Sequence, residues 1–153
     1  MKLAEALALR ADSRRRIDQL RSRVTGSATY QEGAEPAEDA VALLAEADAT
    51  LDELESLIRR VNRTNSATDL GSDGTMTDAL ARRDVLRMRH ALLVSAADAA
   101  AGHGGYRQLR SELRQLSALP VGELRARADG VAREIRELDA RIQQANWSVE
   151  LLD

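Results

Sequence analysis

The stretch LRARADGVAREIRELDARIQQANWSVELL, residues 124–152, decides the fold class. Its apolar residues Leu124, Ala128, Val131, Ile135, Leu138, Ile142, Ala145, Val149 and Leu152 alternate at spacings of four and three, which is an unbroken heptad stripe. At 1.5 Å per residue a helix of this span is roughly 43 Å long. A seam of that length has to be covered by partners of similar length. The expected fold is therefore all-α: an elongated antiparallel helical bundle or coiled coil of about four helices with long polar connections, forming a single helical domain over residues 1–153.

Composition fits such a bundle. Phe is absent, the aromatic residues are Trp147, Tyr30 and Tyr106, and the apolar fraction of 44% rests on small and aliphatic side chains that let helices approach closely. Charged residues make up 31%, but 22 basic and 25 acidic residues leave a formal charge of only -3, unlike the basic footprint of a nucleic-acid or acidic-membrane binder. No nucleic-acid partner is expected. The absence of cysteine removes disulfide and thiolate chemistry and fits a reducing compartment. Glu5 and Arg10 interrupt the apolar start before a signal sequence develops, and no run is apolar enough to span a membrane. The expected location is the cytoplasm.

Helices are expected at about 2–24, 36–61, 76–101 and 121–147. The first places Leu3, Ala6, Leu7, Ile17, Leu20 and Val24 on one face, with a polar gap at Arg10, Ser13 and Arg14. Arg10 and Arg14 either snorkel to the edge of the seam or form a buried charged layer with a carboxylate of another helix. Asp48, lying on the second stripe of Val41, Leu44, Leu51, Leu54, Ile58 and Val61, is the candidate partner, because an antiparallel hairpin brings the two helix centres together. Pro36 is read as the first residue of the second helix, and Asn62, Thr64 and Asn65 as the place where it frays.

Residues 69–74 have acids at the first and fifth places and Gly at the sixth, as in half of an EF-hand loop. Gly71 at the third place and Leu80 at the twelfth break the ligand set. Thr75 with Asp78 forms a capping-box pattern that opens the third helix. That helix carries Leu80, Ala81, Val85, Met88, Leu92 and Ala96 on one side with Leu86 and Leu93 displaced from it, a breadth suited to two neighbours or another subunit. His103, Gly104 and Gly105 lack any accompanying nucleophile elbow, and residues 106–119 read as either a short helix or an extended segment.

In the final helix, a parallel homodimer would set Glu134 against Asp139 of the partner with no compensating attraction, so antiparallel packing against its own chain is preferred. Trp147 falls outside that seam, beside Asn146. Either the helix ends near Ala145 and the tail folds back, or Trp147 packs against a second subunit.

The opening Lys-Leu-Ala-Glu-Ala-Leu with Arg10-Ala11-Asp12, then Val61-Asn62-Arg63-Thr64-Asn65, Leu80-Ala81-Arg82-Arg83-Asp84 and Arg136-Glu137-Leu138-Asp139 through Asn146-Trp147, resembles the septicolysin-like family of short bacterial helical proteins. The resemblance implies a small helical protein of unknown function, and its label implies a cytolysin. No apolar run of about 20 residues and no basic, aromatic-anchored amphipathic face supports lysis.

The residues favour a non-enzymatic, self-associating scaffold or interaction protein, a homo-oligomer through its long helices. The alternatives are a cytolysin, as the label suggests, and a ligand- or metal-binding bundle. For the last, neither His90 nor His103 has Glu three residues earlier, so the di-iron pairing is missing; no catalytic, metal or cofactor residue is assigned. The candidate interhelical polar layer is Arg10, Arg14 and Asp48. The candidate interaction surface is Asn62, Thr64, Asn65, Arg82, Arg83, Asp84, Asn146 and Trp147.

Overall fold

The computed structural model describes residues 1–102 and 113–153. It holds four long helices, α1 (Leu3–Ser27), α2 (Ala40–Ala67), α3 (Met76–Ala100) and α4 (Val121–Ser148), with one turn of 3₁₀ helix at Gly71–Asp73. Among the described residues there is no strand; an isolated antiparallel bridge joins Lys2 and Glu150. The all-α reading of the heptad stripe holds. The chain divides into two compact units, one formed by residues 1–69 with 145–153 and the other by residues 70–144. Residues 103–105, which follow the expected end of the third helix, and residues 106–112 of the segment read as either helix or extended lie outside the described residues. Residues 113–119 form neither helix nor strand.

In the first unit α1 and α2 form an antiparallel hairpin, marked by ion pairs between Arg16 and Glu46 and between Arg23 and Glu38. Helix α1 starts with the Glu5 carboxylate accepting the Lys2 backbone N–H at 2.7 Å. It buries Leu3, Ala6 and Leu20.

Helix α2 corrects two sequence expectations. It begins at Ala40 rather than Pro36, because Asp39 supplies what a helix start lacks: its side chain accepts the N–H groups of Val41 and Ala42 at 3.0 and 3.1 Å. It also does not fray at Asn62. Hydroxyls that compete with helix in isolation here bond back along it, Thr64 donating to the Arg60 carbonyl at 2.8 Å, Ser66 to Asn62 at 3.0 Å and Thr68 to Thr64 at 2.8 Å. The buried face is Leu43, Leu54 and Val61, while Val41, Leu44 and Leu51 of the expected stripe are exposed.

The first unit is completed by residues 149–153. Leu3 N–H donates to the Val149 carbonyl at 3.0 Å and Leu151 N–H to the Met1 carbonyl at 2.9 Å. Lys2 Nζ reaches the Ser148 carbonyl at 2.9 Å and the Glu150 carboxylate at 2.6 Å. On the other side, Leu152 N–H donates to Thr64 Oγ1 at 3.0 Å and Arg60 Nε to the Leu152 carbonyl at 3.0 Å. Once α4 ends at Ser148 the heptad frame lapses, and Leu151 is buried while Leu152 is 42% exposed.

In the second unit α3 and α4 run antiparallel, with Arg82 near Glu134 at one end and Asp98 near Arg125 at the other. Helix α4 buries Leu124, Ala128, Val131, Leu138 and Ile142 as its heptads require. Helix α3 is turned away from expectation: Met76, Ala79, Leu86, Leu93 and Ala97 are buried, whereas Val85, Met88 and Leu92 are 53%, 70% and 69% exposed. The flanking charges give the reason. Arg82, Arg83 and Arg87 border the Leu86 side, and from there they meet Glu134 and Asp139 of α4. With Val85 turned inward those arginines would leave their acids.

Candidate functional site

Two features of the second unit stand out, a polar knot and an uncovered apolar face. The knot is built from the turn before α3. Gly71 and Gly74 have φ of 65° and 78°, the left-handed region open to glycine, and Leu70 N–H donates to the Gly74 carbonyl at 2.8 Å. A Cβ on Gly74 would lie 2.7 Å from Asp78 Oδ2, so this glycine also makes room for the helix cap. The cap is the one written in the sequence. Thr75 N–H and its hydroxyl both donate to Asp78 Oδ2 at 2.8 Å, and Asp78 N–H donates to Thr75 Oγ1 at 3.2 Å.

This turn places Asp73 with its side chain only 2% exposed. Its Oδ1 accepts from Arg82 at 2.8 Å and its Oδ2 from Arg141 Nε at 2.6 Å. The hydrogen bond from Arg141, reinforced by the charge of Arg82, holds the carboxyl below the usual Asp range against the opposing effect of burial. Both oxygens of this carboxylate are thus occupied by guanidinium groups, a structural clamp where the sequence resembled half of a calcium loop. Among the described residues no group of three metal-ligating side chains converges, and no buried side-chain nitrogen or oxygen lacks a partner.

The residues singled out from the sequence separate into different roles. Arg82 belongs to the knot, Arg83 pairs with Asp139 at 3.7 Å, and Asp84 is exposed, 3.5 Å from its neighbour Arg83. Thr64 is fully buried and holds the 149–153 segment to α2; Asn62 is exposed and Asn65 half-buried, both inside the helix. Asn146 is buried and Trp147 is 65% exposed. Arg10 is half-buried, and Arg14 and Asp48 are exposed. No ion pair joins those three among the described residues; Arg16 with Glu46 and Arg23 with Glu38 carry the hairpin's charges instead.

The sequence placed Val85, Met88 and Leu92 on the apolar side of α3 and read the breadth added by Leu86 and Leu93 as suited to two neighbours or another subunit; the structure turns Leu86 and Leu93 inward and leaves the first three exposed. Together with Ala81 they form a heptad-spaced stripe, roughly 140° around α3 from its buried seam at 100° per residue. Which of the two stripes faces inward was not legible from the sequence.

The chain matches, over residues 10–151, a family of unknown function (DUF6847). It belongs to that family. This overturns the septicolysin-like resemblance: the matched family covers nearly the whole stretch on which the resemblance rested, and carries no cytolysin label. The chain is also similar to the crystal structure of a functionally unknown conserved protein from Corynebacterium diphtheriae, 38% identical, with a TM-score of 0.91 and 99% of each chain covered. No curated protein matches. Among the described residues, no helix of this family member is long and apolar enough to cross a membrane.

Proposed function

We propose that this protein is a non-enzymatic helical scaffold that self-associates through the outer face of α3. The observation that carries the reading is the exposure of Val85, Met88 and Leu92 in one stripe. Scattered exposed apolar residues are ordinary, but an aligned run of three large ones on consecutive helical turns is the pattern of a helix that meets another helix. The near-balanced charge argues for a protein partner over nucleic acid, and the cysteine-free chain fits the cytoplasm.

Light scattering over a concentration series tests this. The wild-type mass should rise above that of the monomer with concentration, Met88→Glu should return it to the monomer, and Trp147→Ala should leave it unchanged. A monomer at every concentration would remove the proposal. Dissociation by Trp147→Ala alone would move the interface to the end of α4.

A further inference from the structure

We infer that the occupant of the α3 face is a second copy of this chain, lying parallel and in register, α3 against α3. The inference rests on the self-association reading and adds to it the orientation and the residues that set it. With Val85 and Leu92 at heptad position a, positions d are Ala81, Met88 and Ser95. The flanks then differ in sign. Position g carries Asp84, Ala91 and Asp98, and position e carries Arg82, Arg89 and Ala96.

In a parallel in-register pair each g residue faces the e residue five positions on in the partner. Asp84 therefore meets Arg89 of the second copy, and by symmetry the contact forms twice. The next g–e pair is Ala91 with Ala96, small side chains that permit close approach. Antiparallel pairing opposes g to g and e to e; with Val85 level with Ser95 of the second copy it sets Asp84 against Asp98 and Arg89 against Arg89. The charges select one direction.

The surroundings leave these groups available. Arg82 is engaged by Asp73 and Glu134 within its own chain, whereas Arg89 makes no ion pair among the described residues and Asp84 is exposed. A recess of about 400 Å³ beside the stripe, lined by Ala81, Arg82, Val85, Leu86, Arg89 and Glu134, gives the partner's side chains somewhere to seat.

The chain has no cysteine, so single cysteines report the register directly. Ala81→Cys, Met88→Cys and Ser95→Cys, each oxidised mildly and run on a non-reducing gel, should all give covalent dimers, because every d position of a parallel pair faces its own copy. A dimer from one variant alone means an antiparallel crossing; it overturns the orientation and leaves self-association standing. No cross-link with oligomeric mass retained moves the interface off α3 and overturns the inference. No cross-link with monomeric mass removes self-association as well. Independently, Arg89→Asp should weaken association at least tenfold, and adding Asp84→Arg should restore it. Failure of the double variant to recover would also overturn the parallel pairing.

Discussion

Asp73 shows how much one side chain can organise when the backbone delivers it to the right place. The glycine turn and the Thr75–Asp78 cap fix the start of α3, and the carboxylate then ties Arg82 and Arg141 together from separations of 9 and 68 residues. Asp73→Asn keeps the volume and removes the charge. It should cost about 1–3 kcal/mol at neutral pH, a range for hydrogen bonds to charged groups that allows for the half-exposed arginines. The pH dependence has a definite sign. A carboxyl whose pKa is lowered by folding stabilises the fold above its unfolded value, and that contribution is lost as pH falls through the folded one. Thermal melts of wild type and Asp73→Asn should therefore differ most at neutral pH and converge below about pH 4. A constant gap would mean that the clamp acts through shape alone. The local half of this site was legible: Thr75 and Asp78 are three residues apart, and the cap follows from that spacing. The arginines were not, because no local rule connects Asp73 to a side chain on α4.

At the scale of the element, periodicity established that α3 exists but not which way it faces. Two apolar stripes at helical spacing compete on that segment, and the richer one, with Val85, Met88 and Leu92, lies outside. The inward side is chosen by the arginines that meet Glu134 and Asp139, a long-range match that hydrophobicity alone does not encode. Paired truncations make this measurable. Leu86→Ala, at a site 5% exposed, should cost about 2–5 kcal/mol in denaturant unfolding, whereas Val85→Ala should stay within about 0.5 kcal/mol for the monomer. Equal costs would contradict the phase of the helix. Helix α4 is the opposite case. It has one apolar stripe, and within the helix Leu124, Ala128, Val131, Leu138, Ile142 and Ala145 are buried while Ile135 is half-buried.

At the scale of the molecule, the all-α class was legible from one stretch because an unbroken heptad run admits few alternatives. The division of the chain into two units was not, since the heptads of α4 continue without a mark through residues 144 and 145. The family resemblance went astray: over residues 10–151 the chain matches a family of unknown function instead. The single Trp147 offers a whole-molecule readout of the proposed assembly. At 65% exposure its fluorescence should be solvent-like and readily quenched by iodide. If copies pair through α3, quenching should stay the same as concentration raises the mass. Protection on association would place the end of α4 in the interface.

The bridge between Lys2 and Glu150 sets an order of events during synthesis. Residues 70–144 are contiguous in sequence, so their unit is expected to form without waiting for residues 149–153. The other unit begins first and is finished last, because Leu3 and Thr64 wait for backbone groups of residues 149 and 152. Until then the α1–α2 hairpin stands with one end unlaced, and closing it requires contacts across nearly the full length of the chain, the kind that form late because loop closure has to come first. The α1–α2 hairpin, translated before residues 70–144, is in this sense completed after them.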